Sequence, residues 1–216
     1  MAEQPRRRLT AAARRSELLD AASEVFGRRG YHGASLDEIA QAAGVSKALI
    51  YEHFASKREL HAELVQAHAG EIFRRLQANA DAGASGEERL RGGIDAFLSF
   101  VEENRDAWRA LFRDAADPEV VDAIAAVRDQ AAMIVAGMMA ATGGRVDPKA
   151  SKQQQALFFE MHSQLLAGAV QVLAHWWTDH PDIPREAVVD RAMEFCWLGL
   201  DRISQGELVV RGQLRR

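Results

Sequence analysis

The stretch from Ser35 to Lys57, SLDEIAQAAGVSKALIYEHFASK, leaves the chain little freedom in its local structure. Ser35 followed three residues later by Glu38 is a capping box that opens a helix. Leu36, Ile39, Ala40 and Ala43 then recur at i, i+3, i+4 and i+7, so this helix has a single apolar face. Ala43-Gly44-Val45 predicts a tight turn, because Gly44 can take the positive φ that ends a helix. Ser46 is an N-cap for the next helix, in which Val45, Ile50 and Phe54 point inward. Ser56 with Glu59 makes a second capping box, so that helix must stop near Phe54. Two short helices joined by a tight turn are expected, with a third element starting at once.

The residues left outside carry the chemistry. Lys47, Ala48, Leu49, Tyr51 and His53 remain on or near the outer face of the second helix, with Glu52 its one acid. A cation, small side chains and a Tyr on a short capped helix suit insertion into the major groove of DNA. Ser35 and Ser46 sit at helix N-termini, where a hydroxyl and free backbone N–H groups can hold phosphates. The alternative is a solvated helix in an ordinary bundle.

A net charge of −4 suits a nucleic-acid binder poorly until it is divided along the chain. Residues 1–60 carry ten Lys and Arg against eight Asp and Glu, while the remainder carries 17 against 23. The basic end is concentrated in Arg6, Arg7, Arg8, Arg14 and Arg15, and residues 1–9 read either as an arm able to lie along phosphates or enter the minor groove, or as a solvated tail. The acidic remainder would repel DNA and orient its approach.

Helical periodicity continues along the whole chain. A first helix from Thr10–Arg14 to about Arg28 carries Leu18, Ala22, Val25 and Phe26 inward and ends at Gly30. A long helix from Lys57 toward Asp81 follows, and Ser85 with Glu88 opens the next through a third capping box. A further segment passes through Trp108, Leu111 and Phe112. Pro118 and Pro148 each follow an Asp, which predicts helix starts at Asp117 and Asp147, with Gly143-Gly144 closing the first. A last helix runs from Pro184 to about Gln205. Apart from Leu208-Val209-Val210 no run alternates as a half-buried strand does. The expected fold is all-α with about nine helices: a helix-turn-helix domain over 1–56 and a larger helical domain over 57–216.

The helix expected from Pro148 to His180 has two apolar stripes. Phe158, Met161, Leu165, Ala169, Val172 and Trp176 form one, and Phe159, His162, Leu166, Val170, Leu173 and Trp177 form the other. A helix apolar on two sides must bury two sides, either in a thick core or against a partner subunit.

Other functions find little support. No apolar run approaches ~18 residues, so no membrane span is expected, and MAEQPRRRLT lacks the apolar segment of a secretory signal. Cys196 is alone, which excludes an internal disulfide and fits the reducing cytoplasm. No Gly-rich phosphate loop, H-E-x-x-H or G-x-S-x-G is present, and His175 and His180 fall on different helix faces, so neither an enzyme, a cofactor nor a metal site is expected.

The residues Glu24-Val25-Phe26, Gly30-Tyr31, Ser35 to Ala40, Ala43 to Ser46, Ile50 to Phe54 and Lys57 to Leu60 together resemble the TetR family of bacterial transcriptional regulators. The resemblance covers about fifty residues without a gap; the rest is similar only in helical character and length. It implies that Tyr51, His53 and Lys57 contact phosphates, and that Lys47, Ala48 and Leu49 stand where bases are read. Lys47 can donate to guanine O6 and N7, and Ala48 and Leu49 can touch a thymine methyl. Asp37 departs from members with a basic reader at that place, and no contact is carried over to it. The resemblance further implies a homodimer on a palindromic operator, most often as a repressor, with the last two helices as the interface. Leu165, Val172, Trp176, Met193, Trp197 and Leu200 are the candidates there. A small-molecule effector is implied for the C-terminal domain. Phe97, Trp108, Phe112, Met133, Phe158, Phe159 and His162 are its candidate pocket walls, apolar enough for a hydrophobic or aromatic ligand.

Overall fold

The computed structural model describes residues 10–80, 85–113, 118–141 and 151–204. Among these residues there are nine helices and no strand. In order they are α1 (Ala11–Gly33), α2 (Leu36–Ala43), α3 (Lys47–His53), α4 (Lys57–Ala80), α5 (Gly86–Glu103), α6 (Arg105–Arg113), α7 (Pro118–Ala141), α8 (Lys152–Thr178) and α9 (Arg185–Ser204).

Local chemistry sets most of these boundaries. Thr10 caps α1 by accepting from the Ala13 N–H. Ser35, Ser85 and Ser151 each close a full capping box with the residue three positions on, Glu38, Glu88 and Gln154. The Ser56–Glu59 box is displaced: Ser56 Oγ accepts from the Glu59 N–H, but the Glu59 carboxylate accepts from Ala55, one residue earlier. Two boundaries differ from the sequence expectation. The first helix passes the predicted stop near Arg28 and is broken at Gly30, whose φ of 73° and ψ of 170° suit glycine alone. The long helix expected from Asp147–Pro148 begins instead at Lys152, because the extended backbone of Ser151 and its side chain provide the cap. Asp117, Gly143-Gly144 and Leu208-Val209-Val210 lie outside the described residues.

The described residues divide into two compact units, the first drawn from Met1–His68 and Asp106–Ala123, the second from Ala69–Arg105 and Ile124–Arg216. A division inside α4, not at residue 56, follows from what α4 packs on. Leu60 and Leu64 complete the core that Leu18, Ala22, Val25, Phe26, Ile39, Ile50 and Phe54 form in the first unit. The start of α6 joins the same unit by lying close to Gly27, where an added Cβ would stand 3.3 Å from the Ala107 nitrogen and the Asp106 carbonyl carbon.

In the second unit α5, α8 and α9 pack on one another. Ile94, Leu98 and Val101 of α5, Leu166, Val170, Ala174 and Trp177 of α8, and Val188, Val189 and Ala192 of α9 are buried. Trp177 anchors this arrangement. Its indole N–H donates to the Ile183 carbonyl at 2.8 Å, and the Arg105 guanidinium lies 4.7 Å over its ring. Arg105 also donates to the Trp177 carbonyl at the C-terminal end of α8, where a cation suits the helix dipole. Salt bridges tie α9 to α5 through Arg185 with Asp95 and Glu102, and the distal part of α4 to α5 through Arg75 with Glu103.

By length and mean hydropathy α8 could cross a membrane, with only 17% of its most apolar window buried within the chain. That low burial comes from the two stripes having different surroundings. Leu166, Val170 and Trp177 are inside the unit, whereas Met161, Leu165, Val172 and Trp176 are exposed.

Candidate nucleic-acid interface

The α2–turn–α3 unit is built from hydrogen bonds between near neighbours. Ser35 Oγ accepts from the Glu38 N–H at 3.2 Å, and the Glu38 carboxylate accepts from the Ser35 N–H at 3.1 Å. Gly44 takes φ 65° and ψ 33°, and Val45 N–H donates back to the Ala40 carbonyl at 3.0 Å, which closes α2 and turns the chain. Ser46 Oγ accepts from the Leu49 N–H and caps α3. Ile50 and Phe54 then seat α3 on the core, both essentially without exposure.

Seating those two side chains leaves Lys47, Ala48, Tyr51 and Glu52 exposed, with Leu49 and His53 half-buried. Tyr51 is 52% exposed, unusual for an aromatic side chain with a large apolar face. Ser46 is exposed, and Ser35 is half-buried with its hydroxyl held by Glu38. The far end of α3 is held from α1. Arg15 forms a two-toothed ion pair with Glu63 of α4, donates to the His53 carbonyl at 2.7 Å, and lies 4.4 Å over the Phe54 ring. Its hydrogen bonds to Glu63 raise its already high pKa, so the clamp is permanently charged.

Lys57 is placed differently from what the motif implies. Its ammonium donates to the Tyr31 and Ala34 carbonyls at 2.8 and 3.0 Å and sits 4.5 Å from the Tyr31 ring. It ties the end of α1 to the start of α4, and at most one of its three N–H donors is left for a phosphate. His61 is buried beside it between Phe26 and Tyr31, at ring distances of 5.0 and 4.8 Å.

Two groups at this surface escaped the motif reading. Arg15 was visible only as one of several basic residues, and Asp37 only as a departure from a basic reader. Asp37 is in fact the partner of Lys47, Oδ2 to Nζ 2.9 Å, and this contact raises the lysine pKa. A groove of 900 Å³ opens between α1 and the turn, lined by Glu17, Asp20 and Glu24 with Arg14 as its one cation. Ser46 and Leu49 at the start of α3 line the same groove, and its three acids all stand on its α1 wall.

The comparisons with known proteins agree with this geometry. Residues 18–64 match the family model of bacterial regulatory proteins, tetR family, and residues 87–199 match the tetracyclin repressor-like C-terminal domain. The chain belongs to the TetR family. Like the other members found, this TetR-family chain is a transcriptional regulator with a DNA-binding helix-turn-helix. It is 30% identical over 198 residues to the HTH-type transcriptional activator FasR of Mycolicibacterium smegmatis, covering 91% of this chain and 87% of that protein. It is 34% identical over 104 residues to the HTH-type transcriptional repressor KstR2 of Mycobacterium tuberculosis, covering 48% of this chain and 52% of that one. Among solved structures, a TetR-like transcriptional regulator from Rhodococcus sp. RHA1 superposes with a TM-score of 0.71 at 31% identity, covering 90% of this chain and 99% of that one.

The remaining candidate residues of this TetR-family chain are scattered. Phe158, Phe159 and His162 do come together on α8, where the His162 ring lies 4.0 Å from that of Phe158 and its Nδ1 is 2.8 Å from the Phe158 carbonyl. Phe97 is half-buried on α5, and Trp108 is buried in the first unit. Met133 is 68% exposed on α7 and so lines no enclosed wall, and the side chain of Phe112 lies outside the described residues. Of the candidate interface residues, Leu165, Val172 and Trp176 are exposed, Trp197 is half-buried and Leu200 lies outside the described side chains. Met193 is 4% exposed, so it belongs to the inner face of α9; Phe195 and Leu198 occupy the open face instead.

Proposed function

We propose that this TetR-family regulator acts as a homodimer on a palindromic operator, through the outer face of α3, under control of a small apolar or aromatic ligand. The observation that carries the dimer is an apolar face left open on adjacent helices. Leu165, Val172 and Trp176 of α8 and Phe195 and Leu198 of α9 present large apolar side chains to solvent, with Leu165 and Val172 at 69% and 70%. A contiguous apolar face of this kind on a soluble chain marks a protein interface. The double-stripe pattern of α8 has the same origin, since one stripe is used inside the unit and the other is free for a second copy.

Two identical heads predict two half-sites centred about 34–36 Å apart or a multiple of that. Ser46, Tyr51 and His53, together with the α3 N–H groups, grip phosphates; Lys47, Ala48 and Leu49 face the bases. Ser35 and Lys57 serve first as structural staples, with a residual phosphate contact from each. The site of action is the cytoplasm, and neither a cofactor nor enzymatic chemistry enters this reading. The aromatic cluster of Phe158, Phe159 and His162 is the part of the pocket set best suited to touch an effector.

Release of DNA on ligand binding, hence repression, is the first reading of the direction of control. Activation is the second, and the match to the activator FasR along nearly the whole chain favours keeping it. Selection from a randomised duplex pool, followed by mobility shift, tests the core of the proposal. Recovery of a symmetric sequence bound by two protomers is expected; recovery of an unsymmetric site bound by one protomer would overturn it. Transcription in vitro from a promoter bearing the selected site separates repression from activation.

A further inference from the structure

We infer that Asp37 is a specificity-determining positioning residue, holding the Lys47 ammonium so that it reads a base instead of neutralising a phosphate. This rests on the base-reading role proposed above for Lys47. Asp37 is the second residue of α2 and Lys47 the first of α3, and the turn at Gly44 brings the two helix starts together. Lys47 Nζ donates to Asp37 Oδ2 at 2.9 Å.

Capping does not account for the acid. The α2 cap is complete without it, because Ser35 and Glu38 satisfy each other. The Glu38 carboxylate is also met by Arg29 at 3.5 Å, so it does not compete for Lys47. Asp37 is in the first turn of α2, where a carboxylate suits the helix dipole, whereas Lys47 stands at the start of α3, where a cation does not. The lysine therefore occupies a locally unfavourable place that the carboxylate from the other helix offsets. The hydrogen bond and the charge of Asp37 hold the lysine pKa above its usual value.

A lysine on a long flexible stem beside DNA tends toward the nearest phosphate, a contact that carries no sequence information. Tethered at its head to Asp37, Lys47 is close to neutral as a pair and costs little reordering on arrival at a base edge. The pair presents donors toward guanine O6 and N7 and an acceptor suited to cytosine N4, which favours a G·C pair at that position. The acid thus gives up general affinity for discrimination.

The test uses the full-length protein and the duplex selected by it. Base preference at every half-site position is measured by competition for the wild type, D37N, K47A, D37N/K47A and D37E. D37N should lose discrimination of roughly tenfold at one position in each half-site, the same one lost in K47A, with no further loss in the double variant. D37E should retain it. On a non-selected duplex, D37N should bind more tightly, with a log–log salt slope steeper by about one unit. D37S, which also suits a first helical turn, replaces D37N should the latter lose its helical circular dichroism. An equal shift of D37N on all sequences, with base preferences unchanged, would overturn the inference, as would loss at a position different from that of K47A. Absence of any selected sequence with the wild type would instead sink the DNA-reading proposal beneath it.

Discussion

Once α3 and α8 have each buried one stripe, their outer faces are chemically opposite. α3 seats Ile50 and Phe54 and leaves Lys47, Ala48, Tyr51 and Glu52 in water, a surface that is polar or thinly apolar. α8 seats Leu166, Val170 and Trp177 and leaves Leu165, Val172 and Trp176 in water, a surface as apolar as the one it buried. The difference suits the two faces to different occupants. A face with a cation and a phenol suits phosphates and base edges. A face of Leu, Val and Trp gains by excluding water, and α9 leaves Phe195 and Leu198 open as well.

The sharpest way to break this contrast is to attack the two stripes of α8 separately. Trp177→Ala removes a side chain with 0% exposure, together with its bond to Ile183 and its contact with Arg105. Urea unfolding should show a loss of about 3–5 kcal/mol. A loss below about 1 kcal/mol would mean that the inner stripe is not the core. Leu165→Glu combined with Val172→Glu places charges on the outer stripe only. Sedimentation should find the dimer weakened by roughly a hundredfold, with helical content kept. Unchanged association would remove this face from the interface.

A smaller effect is expected at the α3 end. Arg15→Met breaks the pair with Glu63 and the hydrogen bond to the His53 carbonyl while keeping an apolar stem over Phe54. About a third of each charged side chain is exposed, so the cost should be about 1–2 kcal/mol, below that of a fully buried pair. Operator affinity should fall with it, because the end of α3 loses its anchor. A variant as stable as the wild type would show that packing of Ile50 and Phe54 alone holds α3.

The smallest effect concerns pH. Burial holds the pKa of His68 on α4 below its usual 6.5, so the folded state favours the neutral ring. Its contribution is therefore fully present above pH 6.5 and is lost as the pH falls through the depressed folded value. Glu71 and Glu103, lowered by hydrogen bonds to Arg75, lose their contribution only further down, below the usual 4.5. The decline just below pH 6.5 should thus vanish in His68→Gln, while the decline at lower pH persists. Identical profiles for the two proteins would count against the histidine.

What could be read from the residues and what could not divides by sequence separation. Ser35–Glu38, Gly44 and Ser46 act within a few positions of themselves, and the structure places their helix ends where the spacing does. The Asp–Pro pair at 147–148 predicts one start for the long helix, whereas the Ser151 cap sets the start of α8 at Lys152. Lys47–Asp37, Lys57–Tyr31 and Arg15–Glu63 span 10, 26 and 48 residues, and no periodicity encodes a meeting at such distances.

The sequence by itself determined that the chain is helical, where a short capped helix exposes Lys47 and Tyr51, and that one long helix has two apolar sides. Those properties follow from side-chain period, caps and glycine conformation, which are local. Only the tertiary structure decided which side of α8 is spent on its own core, that Met193 faces inward while Phe195 and Leu198 do not, and that Lys57 staples α1 while Lys47 answers to Asp37. Both sides of α8 carry large apolar side chains, so composition does not rank them; the packing of α5 and α9 on one of them does.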